Sequence, residues 1–123
     1  MTLRETVNYP PPAGRGMRVR PPIDLVHLAA QTMGNAELRN EVLRLFLKQS
    51  EECVGRIRSA EDVAARREAA HALVGSARGV GAFSVAYIAS EIELAKAPVT
   101  GRLIALDRAV AAAGVVIAGL LRQ

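Results

Sequence analysis

Hydrophobic residues recur every three or four positions along most of the chain after residue 22, which is the spacing of amphipathic helices. Turn-forming and helix-breaking residues interrupt this pattern at Gly34, Ser59, Gly79 and Pro98. The pattern predicts five helices, over about 22–33, 36–58, 60–79 and 82–97 and beyond Gly101, with Ser59 as the N-cap of the third. It shows no strand alternation and no internal repeat.

The apolar stripes of the longer helices predict which side chains form the core. In the second helix the stripe consists of Leu38, Val42, Leu45, Phe46, Gln49, Cys53 and Ile57. In the fifth helix it consists of Leu103, Leu106, Val110, Ala113, Ile117 and Leu120. Four substantial amphipathic helices joined by short turns predict an all-α fold, an antiparallel four-helix bundle with a short additional N-terminal helix that closes one end.

Residues 1–21 differ from the rest of the chain because they are rich in Pro, Gly and Arg and lack periodicity. We expect a flexible tail there, followed by one helical bundle domain over 22–123. The net charge of +4 also belongs mainly to this segment, since residues 1–20 carry four arginines and one glutamate and the remainder carries only +1. A nearly neutral domain argues against a nucleic-acid-binding core.

The chain has one cysteine, Cys53, so it forms no internal disulfide, and the position of Cys53 on an apolar stripe predicts an inert buried thiol. The first residues lack the apolar stretch of a signal peptide. The longest apolar run, 109–121, is shorter than the about 20 residues that a membrane-spanning helix needs. These features predict a cytoplasmic protein without a membrane segment.

The third predicted helix carries a histidine away from its apolar face. At about 100° per residue, Val63, Ala70, Leu73, Ala77 and Val80 share the core face. The opposite face carries Arg67, His71, Gly75 and Arg78. A glycine inside a helix, such as Gly75, lowers stability by about 1 kcal/mol relative to alanine. The absence of a side chain leaves room beside the imidazole for a bulky group or a partner, and this gain would offset the lower stability.

The region around His71 resembles the histidine phosphotransfer (HPt) domains of bacterial two-component phosphorelays. The matching residues are His71, Gly75, Ser76, Gly81 and Ala82, followed by Val85, Ala89, Ile92 and Glu93. Upstream, the segments 22–24, 33–34 and 45–47 are similar to the first two helices of that family, and the resemblance covers about 22–120. Val74 stands where the family usually has Lys or Arg, so the usual phosphate-facing charge is absent at that position.

The resemblance implies that His71 accepts a phosphoryl group from the aspartate of a receiver domain and passes it to another response regulator. The receiver, free or part of a hybrid sensor histidine kinase, would supply the aspartate, Mg²⁺ and most of the catalysis. The chain itself would be a monomeric phosphocarrier without a cofactor or a metal site of its own. Arg67 and Arg78 are candidates to replace the missing cation of Val74, since cations stabilise a bound phosphoryl group.

Other interpretations remain open. A protein with the same fold that binds a kinase or receiver without carrying phosphate is the main alternative, and Val74 is the feature that favours it. Val74, on the border of the exposed face, would then meet an apolar patch of the partner. Arg67 and Arg78 are also compatible with an ordinary solvated helix face. A metal site of His27, His71 and Cys53 lacks any common ligand spacing, and an independent enzyme lacks an acid and base pair.

Overall fold

The computed structural model describes residues 20–123, and within this range the chain is an all-α bundle of five helices. The helices are α1 (Leu25–Gln31), α2 (Ala36–Ser59), α3 (Val63–Val80), α4 (Phe83–Leu94) and α5 (Thr100–Leu121). This architecture confirms the predicted fold class. Of the expected flexible tail, residues 1–19 lie outside the described range.

Side-chain caps fix where the first three helices begin. The carboxylate or amide oxygens of Asp24, Asn35 and Asp62 each accept a hydrogen bond from the backbone N–H three residues later. The expectation that Ser59 caps the third helix is wrong, because Ser59 is the last residue of α2 and Asp62 provides the cap. Asp62 orients its oxygen toward the N–H of Ala65 at 2.8 Å.

α3 is the central helix, with α2 on one side and α4 on the other. Its left-handed C-cap, Gly81 (φ 82°), lets the chain reverse at once into α4. α2 and α5 are antiparallel, since Arg58 pairs with Asp107 near one end and Arg39 reaches the carbonyl of Leu120 near the other. α5 also packs on α4, which completes the four-helix bundle.

α1 closes the bundle at the turn between α3 and α4. The backbone N–H of Asp24 donates to the carbonyl of Gly81 at 2.9 Å, and the Nε2 of His27 donates to the carbonyl of Arg78 at 2.9 Å. The His27 ring also meets Phe83 edge to face, with 5.0 Å between ring centroids. A Cβ on Gly81 would lie 2.9 Å from the carbonyl oxygen of Asp24, so this junction requires glycine for space as well as for φ.

The core stripe of α2 is rotated from the predicted one. Its buried residues are Leu43, Phe46, Ser50, Cys53 and Ile57, whereas Leu45 is 51% exposed. In α5 the buried residues Leu106, Ala113 and Ile117 agree with the predicted stripe. α4 ends at Leu94, three residues before the predicted end.

α5 is more apolar than its 13-residue uncharged run suggested. The helix has 22 residues, and an 18-residue window in it has a mean hydropathy of 1.9, so by length and composition alone it would cross a bilayer. The uncharged run 109–121 alone is too short for a membrane span, as the sequence predicts, but the whole of α5 is not. A mostly buried core helix of a soluble protein passes the same test, but only 17% of this window is buried, although α5 packs with α2 and α4.

Candidate functional site

His71 lies on the exposed surface of α3, and the side chain is 77% exposed. Its Nδ1 atom lies 2.8 Å from Oε2 of Glu93, which is in the last turn of α4. The Glu93 side chain is only 28% exposed. The exposed histidine thus has one ring nitrogen engaged and the other directed away from that contact.

The turn at Gly81 explains how two residues 22 positions apart meet. α3 and α4 run antiparallel after this tight reversal, so positions before the turn face positions after it. Small buried residues let the helix axes approach closely; they include Ala70, Ala77, Ala86 and Ala89. Close approach places the Glu93 carboxylate within reach of the imidazole.

The contact with Glu93 decides which ring nitrogen holds the proton in neutral His71. An ionised carboxylate only accepts hydrogen bonds, so Nδ1 must donate its N–H. Nε2 then carries the lone pair. Within residues 20–123 Nε2 has no hydrogen-bond partner, which leaves a free nucleophilic nitrogen on the solvent side.

Arg67 and Arg78 are both exposed on the same helix face as His71. At 1.5 Å per residue, Arg67 lies about 6 Å before His71 along the helix axis and Arg78 about 10.5 Å after it. Neither guanidinium has a hydrogen bond to another residue of the described range. The two cations flank the imidazole along the axis, and their long side chains remain available to an anion.

Gly75 lies one turn after His71 and is exposed. No atom of the chain lies within 4 Å of the position that a Cβ would occupy there. Packing within the protein therefore does not require glycine at this position. The surface beside the imidazole is bare backbone, as the sequence predicts.

Val74 is buried, with only 6% of its surface exposed. The expectation that it borders the exposed face and meets a partner's apolar patch is wrong. It lies about 60° from His71 around the helix and belongs to the hydrophobic core cluster. Valine at this position therefore leaves the surface without a cation there.

A model of the Hpt domain matches residues 41–119 of the chain. The chain belongs to the Hpt domain family. No curated protein and no solved structure matches it. The matched range includes most of α2, all of α3 and α4, and most of α5, which makes α5 one of the helices of the Hpt bundle.

Hpt domains are phosphocarriers rather than catalysts, and they interact with receiver domains and kinases in phosphorelays. Membership of the family therefore supports a general role in histidine phosphotransfer. Within the part of the chain that the structure describes, no three His, Cys, Asp or Glu side chains form a group that would hold a metal ion. His27 and His71 make separate contacts, with a backbone carbonyl and a carboxylate respectively.

Sequence patterns do not identify two contacts at the site of this Hpt domain. Glu93 is recognisable in the sequence only as part of the motif, and its contact with His71 depends on how α3 and α4 pack. Arg66, five residues before His71, donates from Nη2 to the carbonyl of Ala95 at 2.6 Å. The sequence carries no signal for this second contact, because the angle of Arg66 around the helix does not identify its partner.

Proposed function

We propose that the chain is a phosphorelay phosphotransfer protein in which His71 accepts a phosphoryl group from a receiver-domain aspartate and delivers it to another response regulator. The hydrogen bond between Nδ1 of His71 and Glu93 is the observation that carries this proposal. It leaves Nε2 unprotonated and exposed, and these are the two properties that a phosphoacceptor nitrogen needs.

The chemistry follows from this arrangement. The Nε2 lone pair attacks the phosphorus of the aspartyl phosphate, a P–N bond forms, and the P–O bond to the aspartate breaks so that its carboxylate leaves with the electron pair. The ring becomes cationic and keeps its proton on Nδ1, where Glu93 stabilises the charge. Transfer to the next receiver reverses the same steps, with a new aspartate as the nucleophile.

Arg67 and Arg78 supply positive charge around the transferred group in this proposal. Val74 leaves no cation one turn after His71, and the two arginines have no hydrogen-bonded side-chain partner in the described range. Each can extend toward oxygens of a phosphoryl group on Nε2 or toward acidic residues of the docked receiver. The aspartate and Mg²⁺ belong to the receiver, so the chain acts as a carrier and not as an enzyme, and it uses no cofactor.

In this proposal the receiver docks on the exposed face of α3 around His71, and the docking surface continues onto α1. Leu25 and Val26 on α1 are large apolar side chains that are mostly exposed. His27 holds α1 beside Arg78, so these side chains continue the surface that carries the imidazole. An apolar patch with a charged rim is typical of a protein-binding surface. Gly75 allows the receiver to approach α3 closely.

A single copy of the chain suffices for this function, because His71 and Glu93 both come from one chain. We therefore propose a monomer, and light scattering of the purified protein checks it. We also propose a cytoplasmic location, where receiver domains and kinases present their phosphorylated groups. Fractionation of cells into membrane and soluble parts tests this location against the membrane-compatible composition of α5.

The second candidate is an adaptor that binds a receiver or kinase through the same face but carries no phosphate. The observation that favours it is Val74, since this position lacks the cation expected beside a phosphohistidine. The two candidates share a docking surface. They differ only in whether a covalent bond forms on Nε2.

The test is phosphoryl transfer from a phosphorylated receiver with Mg²⁺. We expect an acid-labile, base-stable label on the wild-type chain and its loss in His71→Gln. The chain has two histidines, so His27→Gln is a matched control that should retain the label. Binding of the receiver without any label on the wild-type chain would favour the adaptor, and a label that persists in His71→Gln would exclude His71 as the acceptor.

A further inference from the structure

The C-terminus of α4 lacks the usual features that stabilise a helix end. Its C-cap residue is Ala95 in extended conformation, with no left-handed glycine, and no basic residue lies in its last turn. The final carbonyl groups of a helix have no partner inside the helix and carry partial negative charge. A partner for these carbonyl groups must therefore come from water or from another part of the protein.

Arg66 of α3 provides that partner. Its Nη2 donates to the carbonyl oxygen of Ala95 at 2.6 Å, and the guanidinium brings a positive charge to the negative end of the α4 dipole. The contact joins residues 29 positions apart and crosses directly from α3 to α4. It therefore fixes the last turn of α4 on the surface of α3.

Glu93 belongs to the turn that Arg66 fixes. It lies two residues before Ala95, and its partner His71 lies five residues after Arg66, so the two contacts are neighbours along the antiparallel pair. Helix ends open more easily than helix centres. If the last turn of α4 opened, the Glu93 carboxylate would move away from Nδ1 of His71, and the 2.8 Å hydrogen bond between them would break.

Arg66 at this position lowers stability in one respect, and packing alone does not explain why an arginine is present. Its Nε is buried and has no hydrogen-bond partner in the described range. Leaving a buried donor unsatisfied is unfavourable, and an apolar side chain of similar length would avoid it. The position of the guanidinium at the end of α4 is the feature that an apolar side chain would not reproduce.

We propose that Arg66 is a positioning residue that holds the last turn of α4 on α3 and thereby keeps the Glu93 carboxylate on Nδ1 of His71. Arg66 acts through Glu93 and does not touch the phosphoryl group. The predicted effect of Arg66 on transfer rests on the proposed function. The predicted effect of Arg66 on the tautomer of His71 is independent of that function.

The test uses the full chain labelled with ¹⁵N-histidine, in wild type and in Arg66→Met. In the wild type at a pH where His71 is neutral, the NMR signals of its ring should indicate a proton on Nδ1. In Arg66→Met the proton should distribute between both nitrogens, and transfer from a phosphorylated receiver should slow about three- to tenfold. Arg66→Lys, which keeps one cationic donor, should restore part of the Nδ1–H signature.

Arg39→Met is the matched control. Arg39 of α2 donates from Nη2 to the carbonyl of Leu120 near the end of α5, so its replacement removes the same kind of contact away from Glu93. The His71 tautomer and the transfer rate of this variant should equal those of wild type. Arg66→Gln, whose shorter side chain falls short of Ala95, gives a second variant with the same expectation as Arg66→Met if the latter does not fold.

An unchanged His71 tautomer in folded Arg66→Met or Arg66→Gln would overturn the inference, even if transfer slowed. A shifted tautomer with the wild-type transfer rate would overturn its functional part. If no receiver labels the wild-type chain, the proposed function fails, while the tautomer measurement still decides whether Arg66 positions Glu93. The two failures are therefore distinguishable.

Discussion

Replacing Gly75 with alanine should make the protein more stable and a poorer phosphoryl acceptor at the same time. The position is inside α3, where alanine is favoured over glycine by about 1 kcal/mol. Nothing lies within 4 Å of the new Cβ, so no clash offsets that gain. For a domain of about 100 residues, this corresponds to a rise in melting temperature of about 4–8 °C.

The loss of function has a different origin. The methyl group of Gly75→Ala would lie one turn from His71 on the surface that the receiver must approach. A methyl forced into a close interface costs about 1–2 kcal/mol, which corresponds to a transfer rate about 5- to 30-fold lower. Thermal unfolding by circular dichroism measures the first effect, and phosphoryl transfer from a receiver measures the second.

Gly79→Ala is the control for both effects. Gly79 is also an exposed glycine within α3 with nothing within 4 Å of a Cβ, but it lies two turns from His71. It should give a similar rise in melting temperature and little change in the transfer rate. Wild-type transfer by Gly75→Ala would refute the argument that bare backbone is needed for approach, and a lower melting temperature would refute the stability argument.

The remaining predictions concern the charges at the site and the turn that builds it. Arg67→Ala and Arg78→Ala should each slow transfer severalfold without lowering the melting temperature, since both side chains are exposed. Unchanged transfer rates in both variants would show that the two arginines do not stabilise the transferred phosphoryl group. Glu93→Ala should slow transfer and let the proton of neutral His71 distribute between Nδ1 and Nε2, which ¹⁵N NMR of the histidine detects. An unchanged tautomer would contradict the geometry. Gly81→Ala should lower the free energy of unfolding by more than about 1 kcal/mol, because Gly81 has a φ of 82° and a Cβ there would clash with Asp24. A free energy of unfolding equal to that of wild type, measured with denaturant, would disprove this.

Helical periodicity predicted the exposed histidine because that property depends only on the angle around one helix. His71 and Gly75 are both exposed as the angles require. The prediction for Val74 was wrong for the same reason, because its angle lies between the core and the exposed face, and only the packing of the other helices on α3 determines that it is buried. Leu45 shows the reverse case, an apolar residue of the predicted stripe that the structure leaves exposed.

The contact partners required knowledge of the packing. Glu93 and Arg66 meet groups 22 and 29 residues away, and the register that brings them together depends on the turn at Gly81. Sequence patterns identified the glycine as a turn residue. They did not predict how closely α3 and α4 approach, because that distance follows from the whole set of small buried side chains between them.

The placement of His71 on a convex helix surface limits the order of events in signalling. In the described part of the chain the ring has one free nitrogen, Nε2, and a receiver domain seated on it excludes a second receiver. Under the proposed function, donor and acceptor regulators must therefore compete for the same protein, and loading and unloading must alternate. An excess of either unphosphorylated regulator would then slow the flow of signal by occupying the shared surface, so that the cellular ratio of the two regulators sets the throughput of the pathway.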